Sequence, residues 1–154
     1  MISPEMLRRH PFFADLDDAS IKAIAMITEE IPLKAGEILF RSGQPSQALY
    51  LLVEGDIETS LVITDNNDPT FLKEFYLDDY NPGEMFGLSA LIEPNIHSIS
   101  TRVSRAGKML RIDGAKLNQL CSSDTRLGYQ VMKQLARTAL ERLYHTRVQL
   151  AAAR

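Results

Sequence analysis

Two short segments of the chain echo one another. Lys34-Ala35-Gly36-Glu37-Ile38-Leu39-Phe40 and Asn81-Pro82-Gly83-Glu84-Met85-Phe86 each read as a glycine turn feeding a strand. Both lie in a stretch, roughly 31–112, of short apolar runs broken by glycines. Two such corners in an all-β stretch point to a rolled sheet or jelly roll, because rolling closes most of the sheet edges. Leu49, Leu51 and Val53 alternate with Tyr50 and Leu52, Glu54-Gly55-Asp56 reads as a turn, and Ile57, Leu61 and Ile63 follow. The run from Asp65 to Pro69 reads as a loop, with a further strand over Phe71 to Leu77. Ile99, Thr101 and Val103 form another, which Ala106-Gly107 turns back into a strand from Met109 to Ile112.

Helical blocks flank this stretch. Leu16, Ile21, Ile24, Ala25 and Ile27 recur at helical spacing, with Asp17 or Asp18 as a cap. After Ser122-Ser123-Asp124 no proline appears, so one helix of roughly 28 residues, ~42 Å long, runs toward Arg154. That exceeds the ~30 Å breadth of a small domain, so its far end should project. Met132, Ala139 and Thr146 alternate with Ala136, Leu143 and Leu150 at heptad spacing. This face either packs on its own roll or pairs with a second copy, and the distal half favours a homodimer. No linker separates the blocks, so 1–154 is taken as a single domain: helices over 1–30, the roll over 31–112 and helices over 113–154.

Charge and composition exclude several functions. Lys and Arg (17) are outnumbered by Asp and Glu (20), which argues against a nucleic-acid surface. No apolar run reaches the ~18 residues of a membrane span, and Met1 to His10 has no apolar signal core. The expected location is therefore cytoplasmic, which suits a lone cysteine, Cys121. His10, His97 and His145 lie far apart and Cys121 has no cysteine partner, so neither a metal site nor an oriented nucleophile is indicated. The expectation is not an enzyme, with no cofactor.

The stretch Pro82 to Val103 carries the chemistry. Gly87 lets the backbone approach a bound group, and Leu88 to Ile92 can form a single helical turn whose free amides face the same spot. Pro94-Asn95 ends that turn, and His97-Ser98 opens the next strand facing back toward it. Amide donors, a hydroxyl and a titratable imidazole make a place for a phosphate.

These residues resemble the cyclic nucleotide-binding domains, especially the bacterial catabolite-activator type. Lys34 to Gly43 running into Leu49 to Gly55 is similar to that family's early strands. Pro82-Gly83-Glu84-Met85-Phe86-Gly87 through Val103 is similar to its phosphate-binding cassette. The resemblance implies an α+β, mainly β fold: a double-stranded β-helix of jelly-roll type with N-terminal helices and a long C-terminal helix. It also implies a ligand site at Phe86, Gly87, Leu88, Ser89, Ala90, His97 and Ser98, with Arg142 near where the last helix closes over the base. The family's cassette has a glutamate for the ribose hydroxyl and an arginine for the cyclic phosphate. Leu88 and His97 stand in those places. Losing two hydrogen bonds to charged groups, about 1.5–3 kcal/mol each, weakens cyclic AMP or cyclic GMP by roughly two to four powers of ten. Leu88 also fits an apolar anchor, His97 a surface strand residue, and Arg102 and Arg142 solvated positions.

Two functions follow as expectations. One is a ligand-sensing regulatory module that binds a cyclic nucleotide weakly, or another small anion, and signals through its C-terminal helix. The other is a roll without ligand, serving as a dimerisation or docking subunit. Either passes its output to an unidentified partner protein, with no direct DNA binding and no membrane.

Overall fold

The computed structural model describes all 154 residues. Helix α1 (Glu5–Arg8), a 3-10 turn (Pro11–Phe13) and α2 (Asp18–Met26) form the N-terminal block. Asp17 caps α2 by accepting the Ser20 amide at 2.8 Å. Strands β1 (Thr28–Leu33), β2 (Ile38–Phe40), β3 (Ala48–Asp65), β4 (Asp68–Tyr80), β5 (Met85–Phe86) and β6 (Ser100–Asp113) make the roll. Helices α3 (Gly114–Ser123) and α4 (Thr125–Ala152) close the chain. Asp124 caps α4 by accepting the Leu127 amide at 3.2 Å.

All pairings are antiparallel in the order β1-β6-β3-β4, with β2 added to β6 and β5 to β3. The strand β1 begins at Thr28, opposite Ile112, so the first strand starts inside the block read as helical. The loop from Asp65 to Pro69 shrinks to Asn66-Asn67, because pairing extends to Asp65 and Asp68. Two expected turns are corrected. Neither Glu54-Gly55-Asp56 nor Ala106-Gly107 ends a strand; each lies inside a long continuous one, β3 or β6. The β3–β6 register shifts there, between Leu52 and Glu54, Glu54 and Asp56, and Asp56 and Ile57. The two strands bend together, and the bend rolls one sheet into two faces. Gly107 permits it: a Cβ there would sit 2.0 Å from the Glu54 carbonyl oxygen.

Alternation along β3 splits the core. Leu49 and Leu51 join Leu7, Phe13, Ile24, Leu117 and Val131 on the helical side. Tyr50, Leu52 and Ile57 join Phe40, Tyr80, Phe86 and Val103 inside the roll. Both faces of β3 are thus buried, each large side chain contributing roughly 1.5–3 kcal/mol. In α4 the buried residues are Leu127, Gly128, Val131, Gln134 and Leu135, and none follows. Beyond that point Leu140, Tyr144 and Leu150 are exposed.

Gly107→Ala should therefore cost roughly 3 kcal/mol or more, since backbone, not a side-chain tip, must move. Urea denaturation checks this; a loss under about 1 kcal/mol would place the bend elsewhere.

Candidate functional site

Strand β5 delivers Gly87 in the left-handed region, φ 75°. A Cβ there would lie 2.7 Å from the Ala48 carbonyl oxygen and 2.8 Å from Tyr50 Cδ2, so only glycine fits. The chain then enters a 3-10 turn, Leu88–Leu91. The Ala90 amide donates to the Gly87 carbonyl at 3.1 Å. That donor, expected to face a ligand, is spent inside the turn.

Two asparagines fix the carbonyl end of the turn; the sequence reading had Asn95 end the turn but gave its side chain no role, and gave Asn118 none at all. Asn95, itself at φ 59°, brings its Nδ2 to the carbonyls of Ser89 (3.0 Å), Ala90 (3.0 Å) and Ile92 (3.1 Å). Asn118 of α3 donates to the same Ala90 carbonyl at 3.3 Å. The signal for Asn95 was its place after Pro94, since asparagine tolerates left-handed backbone in turns. Nothing local marked Asn118. His10 ties the N-terminal block to the turn before β5: its Nδ1 accepts the Phe12 amide at 3.1 Å and its Nε2 donates to the Gly83 carbonyl at 2.6 Å.

The cassette side chains turn mostly into the protein. Phe86 is fully buried in the roll, while Leu88 is half-buried against the helical core. Ser89 is half-buried and Ala90 buried. His97 does not open a strand, because β6 begins only at Ser100. Its amide donates to Gln44 (2.9 Å) and its carbonyl accepts from Gly43 (2.8 Å). The ring, 5% exposed, lies flat on Phe40, with centroids 3.6 Å apart and planes 6° apart. Burial pulls its pKa below the ordinary imidazole value, so at neutral pH the ring is uncharged. This corrects the expectation of a cation facing the turn. Ser98 is exposed, and its carbonyl accepts the Ser42 hydroxyl at 3.3 Å. Arg102 is also exposed and pairs with Glu58 at 3.2 Å.

From Phe40 a row of rings crosses the interior. Phe40 neighbours Tyr50 at 6.1 Å, Tyr50 stacks with Phe86 at 5.0 Å, and Phe86 with Tyr80 at 4.9 Å. Arg142 of α4 ends the row, its guanidinium carbon 4.8 Å from the Tyr80 ring centroid. Burial raises the Tyr80 pKa; Arg142 opposes that, and Asp78 and Glu84 add to it. His97 and Arg142 are therefore joined through stacked side chains. A cleft of about 600 Å³, lined by residues such as Arg41, Glu58, Thr59, Glu74, Thr101 and Arg102, takes in the far end of the cassette stretch but none of Phe86 to Ser98.

The family model of the cyclic nucleotide-binding domain matches residues 30–124. The chain belongs to the cyclic nucleotide-binding domain family. A crystal structure from Geobacter metallireducens GS-15, assigned as a cyclic nucleotide-binding protein, is 33% identical, covers 93% of this chain and 99% of its own, and superposes with a TM-score of 0.78. The cyclic nucleotide-gated potassium channel mll3241 of Mesorhizobium japonicum is 28% identical over 86% of this chain and 32% of its own length. The CRP-like cAMP-activated global transcriptional regulator of Mycobacterium tuberculosis is 22% identical over 86% of this chain and 57% of its own. The chain thus spans about a third to just over half of these two curated relatives. The β-roll with its C-terminal helix is the fold expected from the sequence. No helix of this cyclic nucleotide-binding domain is long and apolar enough to cross a membrane.

Two expected outcomes follow. The folded-state pKa of His97 lies below its unfolded value, so the unfolded chain takes up the proton more readily. The stabilisation held by the neutral ring is complete above the unfolded pKa of about 6.5 and is lost as pH falls through the folded value. The urea midpoint should fall between pH 7 and pH 5, and His97→Phe should flatten that slope; an unchanged slope would place the titration elsewhere. Asn95→Gly keeps the left-handed backbone but removes the side-chain amide, and should cost about 1–3 kcal/mol by the same assay.

Proposed function

We propose that this domain is a regulatory sensor that takes a small anionic effector at the Gly87–Ala90 turn and passes its occupancy to α4. The observation that carries the reading is the unbroken row from His97 through Phe40, Tyr50, Phe86 and Tyr80 to Arg142. An anion beside the turn favours the protonated imidazole and draws His97 off Phe40. The rings then repack, and the Tyr80–Arg142 contact changes with them. Such an effector shifts α4 only as far as it binds one ring arrangement better than the other. The relatives named as a gated channel and a cAMP-activated regulator support a sensing role, with a cyclic nucleotide as the first effector to try. Its affinity is weak, since Leu88 and His97 replace the family's glutamate and arginine.

Output runs through the exposed half of α4, where Leu143 and Leu150 share a heptad face, to a second copy and then a partner protein in the cytoplasm. No catalytic step is assigned. A second reading has its own observation: the Phe40–His97 stack occupies the cassette end of the roll, as a docking subunit without ligand would require.

Calorimetric titration with cyclic AMP and cyclic GMP separates the two. The sensor reading expects dissociation constants of roughly 0.1 mM to several mM, following the lost contacts, with affinity falling from pH 6 to pH 8 because an anion must bring a proton onto a ring that is neutral in the free domain. Arg142→Ala should leave the fold intact and abolish any ligand-induced change in α4 amide exchange. No heat or stabilisation at millimolar nucleotide favours the docking subunit.

A further inference from the structure

Beside the cassette one buried hydroxyl has nothing to bond. Segment 43–47 runs antiparallel to the end of the cassette, through a single bridge between Pro45 and Ile96. The Ser46 amide donates to the Asn95 carbonyl at 2.7 Å, and the His97 amide to the Gln44 carbonyl at 2.9 Å. Pro45 and Ile96 are exposed on one side of this ribbon. Ser46 and His97, each one position along, take the opposite side and are 6% and 5% exposed. In this register Ser46 stands across from Asn95 and diagonal to His97, a separation of roughly 7 Å. Its Oγ is buried and has no hydrogen-bond partner. Such a hydroxyl is rare in folded proteins and costs stability.

Its surroundings place that hydroxyl at the turn. Asn95, across from Ser46, holds the Ser89, Ala90 and Ile92 carbonyls. Two residues beyond Ser46, the Ala48 carbonyl oxygen closes on Gly87, 2.7 Å from where a Cβ would stand. Between them the Gln47 carbonyl accepts the Gly114 amide at 2.9 Å, and a Cβ on Gly114 would lie 3.2 Å from the Ala90 Cβ. Segment 46–48 therefore runs along the Gly87–Ala90 turn. A serine hydroxyl can donate to an anionic oxygen without first taking up a proton, which a neutral imidazole must do. We propose that Ser46 is a ligand-binding residue of the sensor site, its hydroxyl donating to an anionic oxygen of the effector held at the Gly87–Ala90 turn. The assignment rests on the sensor reading and names a side-chain donor for it. Once His97 leaves Phe40, serine and imidazole meet the anion from the same side of the ribbon. The free domain carries the hydroxyl unpaired, and the anion satisfies it.

Calorimetric titration of the full chain with cyclic AMP and cyclic GMP, beside urea denaturation of the free protein, tests this. Ser46→Ala should weaken both nucleotides about tenfold or more, the scale of one hydrogen bond to a charged group. The factor should be the same for both, because the hydroxyl meets the phosphate they share. The same variant should raise the urea midpoint of the free domain, since it removes a buried, unpaired group. Ser46→Thr, which keeps a hydroxyl, should hold affinity to within about threefold. Affinities unmoved in Ser46→Ala, a loss confined to one nucleotide, or a lowered urea midpoint would overturn the assignment alone. Failure of both nucleotides to bind the wild-type domain at millimolar concentration would overturn the sensor reading and this assignment with it.

Discussion

A β-roll must fill its own interior, and here an imidazole does part of that filling. His97 lies against Phe40 at van der Waals distance, nearly parallel to it. Flat contact of this kind buries both faces of the junction but leaves the imidazole little water. The charged form is therefore disfavoured, and the residue serves the core before it can serve a ligand. The arrangement at the cassette follows from this. Leu88 turns to the helical core, the Ala90 amide closes its own turn, and Ser98 faces solvent.

The same filling creates a connection. Phe40 and Phe86 follow the two glycine corners that echo one another in the sequence, and both rings enter the roll. Tyr50 and Tyr80 come from β3 and β4 and lengthen the row until it meets Arg142. Packed interiors transmit displacement because they contain few voids to absorb it. Asn118 adds a second tie, from α3 to the Ala90 carbonyl. A change at the turn thus has two physical routes to the C-terminal helices, one through stacked rings and one through a hydrogen bond.

Much of the architecture was legible in the sequence because its signals are local. The glycine corners, the alternation around Tyr50 and the cap at Asp124 each act over a few residues. Gly55 and Gly107 misled for the opposite reason. In sequence they look like turn residues, whereas their role is a close crossing of two distant strands, which no local pattern encodes. The candidate site was harder still. Leu88 and His97 could be placed in the cassette by resemblance, but the direction of each side chain depends on its neighbours in space. Whether a histidine meets Phe40 or solvent is decided by where β6 begins.

The central claim is that the two ends of the ring row are energetically joined. A double-mutant cycle on His97→Ala and Arg142→Ala, read from urea denaturation, measures that join directly. Residues without shared partners add to within roughly 0.3–0.5 kcal/mol. The row predicts a coupling clearly above about 0.5 kcal/mol, diminished when Phe86 is replaced by leucine. Strict additivity of the two changes would contradict it, leaving the cassette and α4 as independent parts of one fold.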